Sequence, residues 1–182
     1  MVALLGRLGT SDPIDPALGA EELAAAFDLA RFGRAPARFD EAELERVNAA
    51  VVHALPFEAV AARLPGGMDA AGWEAVRPNL AHVHEAADWW SVVTGPVAVP
   101  ELGEEDRAYL VQAAEVLAGL EWDQGIWKAL TGALKDMTGR KGKALFLPLR
   151  LALTAMEHGP DMGALLPLIG RDAALERLRS AG

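Results

Sequence analysis

The densest group of chemistry-bearing side chains is Gly139-Arg140-Lys141-Gly142-Lys143, with Arg150 following and no acid between them. Cations on a glycine-flexed turn can contact phosphates. A nucleotide-binding loop is excluded, because that motif needs four residues between its glycines and a Ser or Thr after the Lys. Here two residues separate them, and Ala144 follows Lys143. A second basic set, Arg31, Arg34 and Arg38, has the spacing of one helical face and could also meet phosphates, or could simply be solvated.

Other chemistries find little support. His82 and His84 point to different faces of a helix, and His84 with Asp88 makes only half a metal site. The few serines cannot assemble a Ser-His-Asp arrangement. There is no cysteine, which removes disulfides, thiol catalysis and thiolate-held zinc. Trp73, Trp89, Trp90, Trp122 and Trp127 could stack on unpaired bases, but amphipathic helices place tryptophan in cores more often, and core positions are expected for at least three. No catalytic site is visible.

The elements that must carry these side chains are helical. Ala and Leu dominate the 182 residues while β-branched and aromatic residues are scarce, so an all-α fold is expected. Asp40 followed by Glu43 forms a capping box for a helix to about Leu55, with Leu44, Val47 and Val51 at helical spacing. Asp69 and Asp123 can cap further helices. A continuous stripe of Leu80, Val83, Ala87 and Trp90 follows Pro78. Glu104, Glu105 and Asp106 load the first turn of another helix, and Gly139 ends the one before the basic turn. Gly95-Pro96 to Gly103 reads as a linker, dividing the chain into residues 1–95 and 96–182.

Net charge is −9, which argues against a nucleic-acid partner until its distribution is read. Asp40 to Asp106 holds thirteen acids and three basic residues, whereas the two basic stretches contain no acid. No apolar run reaches the roughly 20 residues of a membrane span. The start, MVALLGRLG, is too short in its apolar stretch for a signal peptide. A cytoplasmic protein is expected. A helical pattern already under way at residue 2 suggests a piece of a longer chain.

Read in order, several segments resemble bacterial glutamate–tRNA ligases of the proteobacterial type. They are Leu5-Gly6-Arg7-Leu8-Gly9-Thr10-Ser11-Asp12-Pro13, then Phe27 to Asp40, Asn48 in a Leu-x-x-x-Asn pattern, and Gly142 to Thr154. Gly159-Pro160, Leu165 to Arg171 and Leu175-Glu176-Arg177-Leu178 complete the series. Ala155 departs from the family, which usually has Gly after Leu-Thr, and this leaves the turn geometry there open.

The resemblance implies a helical stem-contact region over residues 1–95, touching the inside of the L-shaped tRNA. It implies an anticodon-binding helical bundle over residues 96–182. Arg31, Arg34 and Arg38 become candidates for phosphate contacts, and Arg140, Lys141, Lys143 and Arg150 for backbone or base contacts. Arg150 is the best suited to a base, since guanidinium matches planar acceptors. The His-x-Gly-His and Lys-Met-Ser-Lys-Ser type motifs that surround ATP in class I synthetases are absent. The catalytic Rossmann domain, with ATP and Mg, is therefore expected upstream of residue 1, and this chain by itself has no catalytic residue, cofactor or metal. The implied partner is the glutamate tRNA, with the glutamine tRNA left open, and neither DNA nor a membrane. A monomer is implied. The alternative from the residues alone is a helical protein-interaction or regulatory module.

Overall fold

The computed structural model describes residues 2–33, 36 and 39–182. Among them every regular element is a helix. The α-helices are α1 (Val2–Arg7), α2 (Ala20–Ala25), α3 (Glu41–Ala54), α4 (Phe57–Val60), α5 (Ala70–Val76) and α6 (Ala86–Thr94). They continue with α7 (Glu104–Gly119), α8 (Ile126–Thr138), α9 (Lys143–Thr154), α10 (Met162–Ile169) and α11 (Arg171–Ala181). No helix among the described residues is long and apolar enough to cross a membrane.

The chain groups into two compact units, Met1–Leu64 with Arg77–Ala86, and Pro65–Val76 with Ala87–Gly182. The grouping follows packing rather than one cut near residue 95. In the first unit, α3 is tied to the 77–86 segment by polar bonds. Asn48 Nδ2 donates to the Ala81 carbonyl at 2.6 Å, His53 Nε2 lies 2.9 Å from the Leu80 carbonyl, and Arg77 donates to the Leu55 carbonyl. Val47, Val52, Val60 and Leu80 are buried. Asp40 caps α3 by accepting from the Ala42 amide, but the expected reciprocal capping box does not form. Glu43 pairs instead with Arg46, whose guanidinium is a stronger attraction than an amide.

The helix expected to run on from Leu80 is also interrupted. Glu85 accepts from the amides of Ala81 and His82, so the chain caps afresh there and α6 begins at Ala86. Burial pushes the Glu85 carboxyl up, yet those two N–H groups and the His82 side chain together hold it below the usual carboxylate range.

In the second unit α8 packs on α7, α9 and α10, while α11 packs on α7, α9 and α10. Leu110, Leu117, Ile126, Leu130, Leu134, Leu149, Leu153 and Leu178 are fully buried between them. α5 lies on α10, with Trp73 fully buried. Trp73 is the one tryptophan with no exposure; Trp89, Trp90, Trp122 and Trp127 stay part-exposed, so the expectation of three core tryptophans is corrected. Short packing partners explain part of this. Trp90 lies across Gly72 and donates to the Gly66 carbonyl, where its indole N–H needs a polar neighbour.

α9 contains Pro148 in its sixth position. A proline there removes the amide that would bond the Ala144 carbonyl. Arg140 supplies the missing donor at 3.1 Å. α9 ends at Ala155 with φ 57°, the one non-glycine residue with positive φ among those described. The left-handed turn is therefore retained although the residue is Ala. Ala155→Gly should remove the Cβ penalty and raise stability by about 1 kcal/mol, read as a Tm higher by a few degrees; an unchanged or lower Tm would show that the turn carries no strain.

Candidate nucleic-acid interface

The basic turn is built by two glycines. Gly139 closes α8 at φ 70°, with its amide on the Lys135 carbonyl at 2.9 Å, and Gly142 precedes α9 at φ 54°, ψ −135°. The second conformation is one that L side chains rarely adopt. The turn thus brings α8 and α9 together with residues 141–143 at the surface.

The sequence candidates separate once their partners are visible. Arg140 folds inward, its side chain only 14% exposed. It pairs with Asp106 at 2.6 Å and Glu105 at 3.0 Å, bonds the carbonyls of Glu105 and Ala144, and lies 4.3 Å from the centroid of the Tyr109 ring. Its donors are engaged in holding the start of α7 to the start of α9. Tyr109 donates to the Leu145 carbonyl, and its burial pushes the phenol up to about 12. Lys141 and Lys143, one and three positions further along, are exposed.

Arg150 is half-buried on α9. Its Nη2 donates to the Pro160 carbonyl at 2.6 Å, and Nη1 is buried with no hydrogen-bond partner. Burial lowers its pKa, with Asp161 partly opposing; a guanidinium stays charged regardless. In the first unit, Arg31 is half-exposed and paired with Asp12 at 2.6 Å, and Asp12 also holds Arg7. Arg34 and Arg38 lie outside the described residues. No group of three or more His, Asp or Glu side chains among the described residues could hold a metal.

Near the start of α9 stands a pairing that sequence reading did not single out, although it named Trp127 among the tryptophans able to stack on bases. Trp127 on α8 and Phe146 on α9 face each other with ring centroids 6.2 Å apart, tilted 39°. Phe146 is 43% exposed and Trp127 part-exposed. The start of α10 borders them: a side chain at Gly163 would come within 3.9 Å of Trp127 Cδ1. Asp161 caps that helix through the Ala164 amide, and Arg150 holds the preceding carbonyl. Aromatic surface flanked by mobile cations is the arrangement that accepts unpaired bases and their phosphates.

A helical bundle presenting cations and part-exposed aromatics is the class of surface that binds folded or looped RNA. A family model described as an anticodon binding domain matches residues 74–182, and the chain belongs to that family. Among similar proteins, glutamate–tRNA ligase 1 of Novosphingobium aromaticivorans is 65% identical over 178 residues, covering 98% of this chain and 40% of that protein. Glutamate–tRNA ligase 2 of Erythrobacter litoralis is 63% identical over 181 residues, covering all of this chain and 39% of its own length. The chain thus spans about 40% of the length of these relatives. The fold is also that of a glutamate tRNA ligase from Elizabethkingia meningosepticum, with a TM-score of 0.77 at 20% identity over 98% of this chain and 40% of that one.

Proposed function

We propose that this chain is the tRNA-binding, anticodon-reading part of a glutamate–tRNA ligase, a cytoplasmic enzyme that attaches glutamate to its tRNA using ATP. The observation that carries this reading is the part-exposed Trp127–Phe146 pair, with Phe146 three residues beyond the exposed Lys143 on α9, within a member of the anticodon-binding family. Bases of the anticodon loop unstack and lie against the aromatic rings, while Lys141 and Lys143 meet the backbone. Arg150 sets the Gly159–Asp161 turn that borders the rings, and its remaining nitrogen is available to a base edge when that turn adjusts. Arg140 supports the site from within.

In the same reading the first unit contacts the tRNA stem, with Arg31, Arg34 and Arg38 as its phosphate contacts. Asp12 then holds Arg31 extended at the surface. ATP, Mg and the chemistry of aminoacylation belong to the rest of the ligase. The partner is the glutamate tRNA, and discrimination against the glutamine tRNA rests on the contacts around the aromatic pair.

Phe146→Ala tests this directly. Because Phe146 is largely at the surface, the fold should survive, and loss of one stacked base should cost about 1–3 kcal/mol of binding. That corresponds to a rise in Kd of about fivefold to 150-fold for a glutamate-tRNA transcript. An unchanged Kd, with circular dichroism intact, would remove the aromatic pair from the interface.

A further inference from the structure

All four lysines of the chain, Lys128, Lys135, Lys141 and Lys143, fall within one segment, and the other thirteen basic residues are arginines. Many of the arginines are tied down. Arg7, Arg31, Arg46, Arg140, Arg171 and Arg177 are each bonded to carboxylates or backbone carbonyls. The four lysines are exposed, and none takes part in an ion pair among the described residues. Between residues 124 and 156 the chain carries six basic residues and one acid, Asp136, although its net charge is −9. Arg63, Arg107 and Arg179 are exposed as well, but they are scattered along the chain, whereas the lysines of this acidic protein cluster on α8 and the turn after it.

Helical geometry places these charges in a line. Lys128 and Lys135 are two turns apart on α8, about 10 Å along the axis and about 20° apart around it. Ile126, Leu130 and Leu134 turn the opposite side of the helix into the core. Gly132 lies on the exposed side, where a Cβ built on it would meet nothing within 4 Å, so this position puts no side chain between the two lysines. Trp127 occupies the neighbouring edge, about 100° from Lys128. An edge of ammonium groups therefore runs beside the aromatic pair and continues into Lys141 and Lys143.

We propose that Lys128 and Lys135 form a phosphate track along α8, which carries the RNA backbone past the aromatic pair and on to the α8–α9 turn. This rests on the tRNA reading and extends it to residues outside the basic turn. A lysine ammonium is a hydrated point charge on a flexible stem, suited to following a backbone without reading sequence. The track accordingly contributes affinity and salt dependence, and leaves anticodon discrimination to the groups around the rings.

The test compares wild type, K128A/K135A, K128R/K135R and R179A by anisotropy with a labelled glutamate-tRNA transcript over a salt series. Arg179 is an exposed cation on α11 and serves as a control for net charge. The double alanine variant should bind roughly tenfold or more weakly at the lowest salt, and the slope of log K against log salt should shrink by about 1.5 to 2. Its ratio of affinities for correct and altered anticodons should stay at the wild-type value. K128R/K135R should keep the wild-type slope, and R179A should bind as wild type. A K128A/K135A variant with wild-type affinity and slope overturns the track while leaving the tRNA reading standing, as does an equal loss in R179A. Salt-insensitive or undetectable binding by wild type overturns both.

Discussion

Replacing Arg177 by Ala should lower the stability of the second unit by about 3 kcal/mol, the largest loss expected of any single polar substitution in this chain. Arg177 is 8% exposed, and it donates to the carbonyls of Leu153 at 2.6 Å, Val92 at 2.8 Å and Gly95 at 2.7 Å, with Val93 at 3.3 Å. Leu153 lies in the last turn of α9, and Val92 and Val93 in the last turns of α6. Carbonyls at a helix end have no amide partner within the helix and carry the negative end of its dipole. One planar fork thus serves the ends of two helices and the start of the segment leading to α7. Truncation leaves these acceptors without a donor and opens a space that water fills imperfectly. Lys cannot reproduce the fork, so Arg177→Lys should recover only part of the loss. Urea unfolding followed by tryptophan fluorescence reads both variants. A midpoint for R177A equal to wild type would mean that the four carbonyls are satisfied by other means.

Gly159→Ala should cost a similar amount for two separable reasons. Gly159 has φ 142°, in a region that is essentially reserved for glycine and costs other residues about 1–3 kcal/mol. A Cβ there would also stand 2.0 Å from Trp89 Cη2, closer than atoms can approach. Overpacking of this kind adds about 1–3 kcal/mol. A double-mutant cycle divides the two: Trp89→Ala in the G159A background should restore the clash component and leave the backbone component. The substitution also disturbs the turn that Arg150 holds beside Trp127, so weaker tRNA binding should accompany the loss of stability. A G159A protein as stable as wild type would contradict the close packing of Trp89 on this turn.

The helices were legible because Leu and Ala recur at the helical period and because local signals punctuate them. Gly139 closes α8, Asp40 caps α3, and Asp69 bonds the Gly72 amide in the first turn of α5, whereas α8 starts from Gly125 and Asp123 bonds only the Gly125 amide ahead of it. Errors arose where a side chain had competing partners. Glu43 chose Arg46 over an amide, and Glu85 capped a new start where the apolar stripe read as continuous. The fate of Arg140 was not legible at all, since Asp106 stands 34 residues earlier in the chain. Adjacent cations in one basic run therefore look equal in sequence, while the fold buries Arg140 and exposes Lys141. Lys128 and Lys135 do not stand out in sequence, because they are two single charges seven residues apart, with Asp136 next to the second. The Trp127–Phe146 pair depends on the α8–α9 turn bringing two helices together, which no local pattern announces.

The most direct measurement is binding of this chain to a glutamate-tRNA transcript beside one with an altered anticodon, across a salt series. Tighter, salt-sensitive binding to the correct anticodon is the expected result. Equal affinity for the two transcripts would contradict anticodon reading by this chain.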